Sequence, residues 1–263
     1  MRAMIFAAGL GTRLKPLTDT MPKALVPLAG KTLLQWQIER LRDVGIVDMV
    51  VNVHHFPDLI IDYLRSNNCF GCHITVSDER DRLLETGGGL RNARPLLLGN
   101  ASTSHTHTTE PILVCNVDIL SNIDLHQLAA AYREDELGLL VVSERQTQRY
   151  LLFDEDNRLH GWTNVTTGDV RPEGLDKTRA MQMRRLAFSG MQLLHPRVFD
   201  TMDEVVRQKG DKFSLIDLYL TLTEQEVLRA YVPEDYRMMD VGKIDQLSEA
   251  EAFAESLRAC ESE

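Results

Sequence analysis

Two cations and two carboxylates are the side chains in this sequence best placed to do chemistry. Arg13 and Lys23 belong to a small-residue run, Phe6-Ala7-Ala8-Gly9-Leu10-Gly11-Thr12-Arg13-Leu14-Lys15-Pro16-Leu17-Thr18, that ends in Pro22-Lys23. Asp118 and Asp240 each follow an apolar, strand-like stretch, Pro111 to Val117 and Arg237 to Met239. A turn in which Gly9 and Gly11 leave room close to the backbone, followed by a hydroxyl and fixed positive charge, suits a phosphate chain. Carboxylates at strand ends suit Mg²⁺, which takes oxygen ligands together with substrate phosphates. The same aspartates could instead cap helices, and the two uses stay open at this point.

Two standard nucleotide loops do not fit. A dinucleotide fingerprint would place a third glycine where Leu14 stands, and Pro16 interrupts the helix that should follow. Gly30-Lys31-Thr32 has the end of a phosphate-binding Gly-Lys-Thr loop, but its first glycine falls at Leu25.

At 263 residues the chain is long enough for a sizeable core, and its net charge of −10 argues against a nucleic-acid or anionic-membrane surface. An anionic substrate must therefore meet local positive charge or a bound metal ion. No signal peptide and no membrane-length apolar run is present, so a cytoplasmic protein is expected. Cys69 and Cys72 form a Cys-x-x-Cys without a second pair, which reads as two reduced thiols. His105 and His107, in a Ser/Thr-rich stretch from Gly99 to Glu110, have no carboxylate or cysteine beside them and read as surface histidines. So do His54 and His55, although theirs is a strand end that faces the expected site.

The elements that must position these groups alternate. Met4 to Ala8, Asp48 to Val53 and His73 to Ser77 read as strands, separated by helices over Thr32 to Val44 and Pro57 to Arg65. That rhythm predicts an α/β fold: a three-layer sandwich with a mostly parallel mixed central sheet, its ligands at the carboxyl ends of the strands. Three glycines in Leu84-Glu85-Thr86-Gly87-Gly88-Gly89 precede a helix and imply close backbone approach. Further elements are a helix from Asp124 to Glu136, a strand from Leu137 to Ser143 and a hairpin from Arg149 to Trp162. Thr163 to Arg179 reads as a loop over the site. A strand from Arg184 to Leu194, a helix from Phe213 to about Leu222, a strand from Leu228 to Val232 and a closing helix from Lys243 to Leu257 complete the chain. We expect one domain over 1–263, in two halves, 1–120 and 121–263.

The run from Ala8 to Thr18 with Pro22-Lys23-x-Leu25-x-Pro27 resembles the signature of the sugar-1-phosphate nucleotidyltransferases. Leu84 to Gly89, Leu113 to Asp118, Phe188-Ser189-Gly190 with His195-Pro196, and Asp240-Val241-Gly242 resemble later motifs of the same family, so the likeness runs to about residue 254. It is weakest between Gln146 and Met183, and Val117 replaces a small residue in the family's Asn-x-Asp. The resemblance implies a Rossmann-like nucleotide-diphospho-sugar transferase fold. It also implies Mg²⁺-dependent transfer of a nucleotidyl group from a nucleoside triphosphate to a sugar 1-phosphate. Arg13 and Lys23 are then the catalytic cations, and Asp118 and Asp240 the metal ligands. Ala7, Ala8, Gly9, Gly11, Thr12, Arg13, Glu85, Gly87 and Gly88 are expected to line the nucleotide.

The sugar and base are less constrained. The Glu-Lys pair that many relatives carry after the middle hairpin is absent. Asn164, Ser189 and Gly190 are the polar candidates for the sugar, and Arg149 could meet a substrate carboxylate. The Glu-Thr-Gly-Gly-Gly form is similar to the N-acetylmuramate-1-phosphate uridylyltransferase branch and favours UTP. A GTP-dependent mannose- or heptose-1-phosphate guanylyltransferase is the main alternative. A regulatory module that binds nucleotide-sugar without turnover is a second, although it would not need all four of Arg13, Lys23, Asp118 and Asp240.

Overall fold

The first strand, Arg2–Phe6, sets the architecture, because its side chains alternate between two cores. Ala3 and Ile5 join a cluster on one face of the sheet, and Met4 and Phe6 join a cluster on the other. A strand buried on both faces reads as a continuous apolar run, and it requires helices on both sides. Helices Leu33–Asp43, Pro57–Ser66, Leu125–Ala131 and Leu247–Cys260 cover the first face. Helices Glu85–Asn92, Arg94–Leu98, Val198–Lys209 and Leu215–Leu222 cover the second. In this computed structural model residues 1–99 and 109–260 are described, so His105 and His107 lie outside the described residues.

Among the described residues the main sheet has ten strands. From one edge the order is Asp169–Arg171, Leu159–Asn164, Arg149–Phe153, Arg184–Leu194, Ile112–Asn116, Arg2–Phe6, Asp48–Val53 and His73–Asp78. The last four run parallel, with helical crossovers between them. Gly138–Ser143 pairs with the long Arg184–Leu194 strand, and Leu228–Tyr231 pairs with Gly138–Ser143. The architecture is the expected three-layer α/β sandwich with a mixed central sheet.

A two-stranded ribbon joins distant parts of the chain at the carboxyl end of the parallel strands. Ile119–Ser121 pairs antiparallel with Met238–Asp240, Asp240 sits opposite Ile119, and the Val241 N–H donates to the Asp118 carbonyl at 2.8 Å. Two aspartates 122 residues apart in sequence (240 less 118) are thereby fixed side by side.

Several local expectations are corrected. Gly87, Gly88 and Gly89 lie inside the helix Glu85–Asn92, not before it. The stretch from Thr163 to Arg179 is not a loop: Asp169–Arg171 adds an edge strand to the hairpin, and Asp176 caps the short helix Lys177–Gln182 by accepting from the Arg179 N–H. An edge strand faces water on one side, so its polar composition resembles that of a loop. The helix predicted to end at Glu136 ends at Ala131, and Asp124 caps its start. Helix Val198–Lys209 was not anticipated, although Val198, Phe199, Met202 and Val205 have helical spacing and are all buried. The closing helix starts at Leu247, after a 3₁₀ turn over Ile244–Gln246.

Candidate active site

The glycine run forms a compact loop after the first strand, turning through short 3₁₀ segments at Thr12–Leu14, Leu17–Asp19 and Lys23–Leu25. Gly11 has φ +63°, and a Cβ there would lie 2.8 Å from Thr18 Cγ2 and 3.0 Å from Lys23 Cβ. Its carbonyl accepts from the Leu14 N–H at 2.8 Å and from Thr18 Oγ1 at 2.9 Å. The turn thus needs glycine for both conformation and space, and it holds the stem of Lys23 in place.

Lys23 directs its ammonium onto Asp118, and both side chains are largely buried. Arg13 lies 3.7 Å from Asp240, with both side chains about half exposed. Gly242 closes this group: a Cβ on it would sit 2.5 Å from Asp240 Oδ1 and 2.6 Å from an Arg13 guanidinium nitrogen. The packing around Asp240 pushes its pKa above the usual carboxylate range, and the neighbouring Asp118 carboxylate adds to this. Lys23 and Arg13 pull it back down. Two crowded carboxylates balanced by two cations form a site of near-zero net charge that can exchange counter-ions.

Beside this group lies a cavity of about 410 Å³, lined by Ala7, Ala8, Gly9, Lys23, Glu85 and Asp118, with further residues that the sequence did not assign to the site. Those are Asn52, Leu83, Thr86, Asn116 and Ser214, along with Phe6 and Val117. Asn52 takes the Ala7 N–H at 2.8 Å, so the amide of Ala7 is already occupied. Ser214 reaches the wall because it caps its helix in a box with Asp217. The signal for Ser214 was present as Ser-x-x-Asp, but nothing in the sequence links it to a loop more than a hundred residues away.

Gly87 and Gly88 do not line the cavity. Both are buried, and their N–H groups donate to the Phe213 carbonyl at 2.9 and 3.1 Å. A Cβ on Gly87 would meet the Phe213 ring at 2.4 Å, and one on Gly88 would meet the Asp211 carbonyl oxygen at 2.2 Å. The close backbone approach is therefore to the Asp211–Phe213 segment, which leaves Glu85 and Thr86 to form the wall. We expect Gly88→Ala to lower stability by about 3 kcal/mol, since the clash is with backbone that cannot rotate away. A denaturant titration with an unchanged slope would measure it.

The sugar candidates are dispersed. Ser189 is wholly buried, with its hydroxyl beside the Tyr236 phenol, so it faces the core and not a ligand. Gly190 has φ +71° and packs on the Asn116 side chain, where a Cβ would be 2.8 Å from Nδ2, so it supports the cavity from behind. Arg149 and Asn164 are register partners at the end of the hairpin. Asn164 accepts the Thr166 N–H through its side chain and borders a separate hollow of about 240 Å³ with Lys177 and Arg185. Thr12 is exposed on the glycine loop.

A loop that presents cations, a strand-end carboxylate pair and an adjoining cavity can bring a triphosphate and a second anion together. Comparison with known proteins decides which family uses this arrangement here. Residues 2–256 match the nucleotidyl transferase family. The chain belongs to that family. It is 32% identical to the N-acetylmuramate alpha-1-phosphate uridylyltransferase of Caulobacter vibrioides, over 88% of each chain. It is also 32% identical to the enzyme of the same name from Neisseria meningitidis serogroup B, over 97% of this chain and 98% of that one. A crystal structure of UDP-glucose pyrophosphorylase complexed with UDP-glucose superposes with a TM-score of 0.72 at 18% identity, covering 97% of this chain and 98% of the other, which supports the fold. This nucleotidyl transferase is accordingly a sugar-1-phosphate nucleotidyltransferase. Among the described residues no helix is long and apolar enough to cross a membrane.

Proposed function

We propose that the protein transfers a uridylyl group from UTP to N-acetylmuramate 1-phosphate, giving the UDP-sugar and pyrophosphate, as a step of cell-wall sugar recycling. The carrying observation is the group of Lys23, Asp118, Arg13 and Asp240 at the edge of the cavity. The names of the two relatives at 32% identity support the choice of substrates. On this reading residues 1–120 bind the nucleotide and 121–263 the sugar, in keeping with a cavity wall that, among the described residues, draws only Ser214 from the second half.

The oxygen donors of Asp118 and Asp240 fit Mg²⁺, because two crowded carboxylates are relieved by a hard divalent cation. When bound there, the ion would neutralise charge on the triphosphate and the departing pyrophosphate. The protein supplies the remaining work. A phosphate oxygen of the sugar phosphate forms the new bond to the α-phosphorus, and the bond to the β-phosphate bridging oxygen breaks. The nucleophile is already ionised at neutral pH, so positioning and charge stabilisation dominate and no general base is needed. On this reading Arg13, with planar paired donors, holds the triphosphate, and Lys23 bridges the α-phosphate and the incoming phosphate. Arg149 is the residue proposed to meet the lactyl carboxylate, with Asn164 beside it.

The test is pyrophosphate release with Mg²⁺, measured across four nucleoside triphosphates and a panel of sugar 1-phosphates. UTP with N-acetylmuramate 1-phosphate is expected to give the highest kcat/KM. A higher value for GTP with a mannose- or heptose-type phosphate would replace this reading with the guanylyl one. Absence of release with every pair would favour a nucleotide-sugar sensor.

A further inference from the structure

From the wall of the cavity inward runs a polar chain that plays no part in the chemistry described above. Asn52 and Glu79 are 2% and 4% exposed and sit at the ends of neighbouring parallel strands. Asn52 Oδ1 accepts the Ala7 N–H at 2.8 Å, Asn52 Nδ2 donates to Glu79 Oε1 at 2.8 Å, and Glu79 Oε2 accepts the Leu84 N–H at 3.4 Å. His54 Nδ1 lies 2.7 Å from the Glu79 carbonyl oxygen. Gly89 closes over the junction, since a Cβ there would be 2.8 Å from Glu79 Oε1 and 2.9 Å from Asn52 Nδ2.

We propose that Asn52 and Glu79 act as positioning residues, a brace that fixes the distance between the glycine loop and the Leu84–Thr86 wall and so sets the affinity for the nucleoside triphosphate. The two ends of the chain carry the argument. Ala7 opens the loop that leads to Arg13 and Lys23, and Leu84 directly precedes Glu85 and Thr86, which line the same cavity. One side-chain pair is thus bonded to both walls. The donor pattern needs an acceptor-only group at position 79, because it receives two N–H groups and can donate to neither. Among the described residues no lysine or arginine compensates this carboxylate, and burial pushes its pKa up. An apolar residue would fill the same space without that cost, so packing alone does not account for a carboxylate here.

The donor order can be reversed without changing the charge of the pair. In Asn52→Asp alone the new carboxylate faces that of Glu79, and in Glu79→Gln alone one N–H of the chain loses its acceptor. The double variant N52D/E79Q exchanges the two chemistries and restores a complete chain. The Ala7 N–H donates to the carboxylate at position 52, the amide at position 79 donates to the same carboxylate, and the Leu84 N–H donates to the amide oxygen.

Pyrophosphate release is to be measured with UTP, or with whichever triphosphate the substrate panel selects, so that failure of the UTP assignment leaves this test intact. N52D and E79Q are each expected to raise KM for the triphosphate about ten-fold, the size of one unsatisfied buried donor, with little change in KM for the sugar phosphate. The double variant is expected to return within about three-fold of the parent, a coupling that a cycle isolates. Hydrogen exchange of the Ala7 and Leu84 amides, followed without substrate, should quicken in E79Q and slow again in the double variant. The proposal is overturned if the single variants lose only thermal stability and keep the parental KM, or if the double variant is as impaired as the worse single one.

Discussion

Replacing Asp118 by asparagine is expected to lower Mg²⁺-dependent turnover about 10³-fold while leaving the thermal midpoint within about 5 °C of the parent. The substitution keeps shape and removes one negative charge. The backbone bond that ties this position to the second aspartate, Val241 N–H to the Asp118 carbonyl, does not involve the side chain and survives. Two electrostatic changes oppose each other in the folded state. Lys23 loses its partner, and Asp240 loses the neighbour whose charge helps push its pKa up. Stability therefore changes little, whereas the proposed metal site loses one of its two protein ligands. The check is a titration of turnover against Mg²⁺ with a parallel melting curve. Turnover near the parental level would remove Asp118 from the metal site. Low turnover together with a melting point depressed by about 10 °C would show instead that the Lys23–Asp118 pair holds the fold.

The sequence was most informative where one local stretch makes one structure. The loop from Phe6 to Lys23 carries its own turn chemistry, since Gly11 needs the left-handed conformation and its neighbours Thr18 and Lys23 lie within the same run. The parallel half of the sheet was likewise legible, because buried strands such as Asp48–Val53 are short and rich in β-branched residues. Contacts made across the chain were not. Gly87 and Gly88 look like a second phosphate loop until Phe213 takes up their amides, and that partner lies more than a hundred residues away. Ser189 is polar by type, but it lies wholly buried beside Tyr236, in a stretch of strand that is covered on both faces. Asn52 and Glu79 attract no attention as a strand asparagine and a glutamate before a polar turn. Their role needs the register of two neighbouring strands and the return of the chain at Leu84. A motif thus reports the groups that meet a ligand better than the groups that hold those motifs apart.

Lys23→Met is expected to cost up to about 10³-fold in kcat, and it separates two roles that the geometry leaves superimposed. The ammonium lies on Asp118, with its stem packed against Gly11. It could serve only as the counter-ion of the carboxylate pair, or it could also stabilise charge on the reacting phosphates. Two unit charges about 4 Å apart interact by about 4 kcal/mol at the effective dielectric of a protein surface, which bounds the effect at about three decades. The two roles predict opposite responses to metal. Removing a cation from beside two carboxylates strengthens their attraction for Mg²⁺, so a pure counter-ion role lowers the half-saturating Mg²⁺ concentration and leaves kcat nearly intact. A role on the phosphates lowers kcat at every Mg²⁺ concentration, with KM for the triphosphate changing far less, because the interaction strengthens as charge builds around phosphorus. Methionine keeps the unbranched stem that packs on Gly11, so the loop conformation is preserved. The second pattern is expected, and full recovery of kcat at adjusted Mg²⁺ would assign Lys23 to the resting charge balance alone.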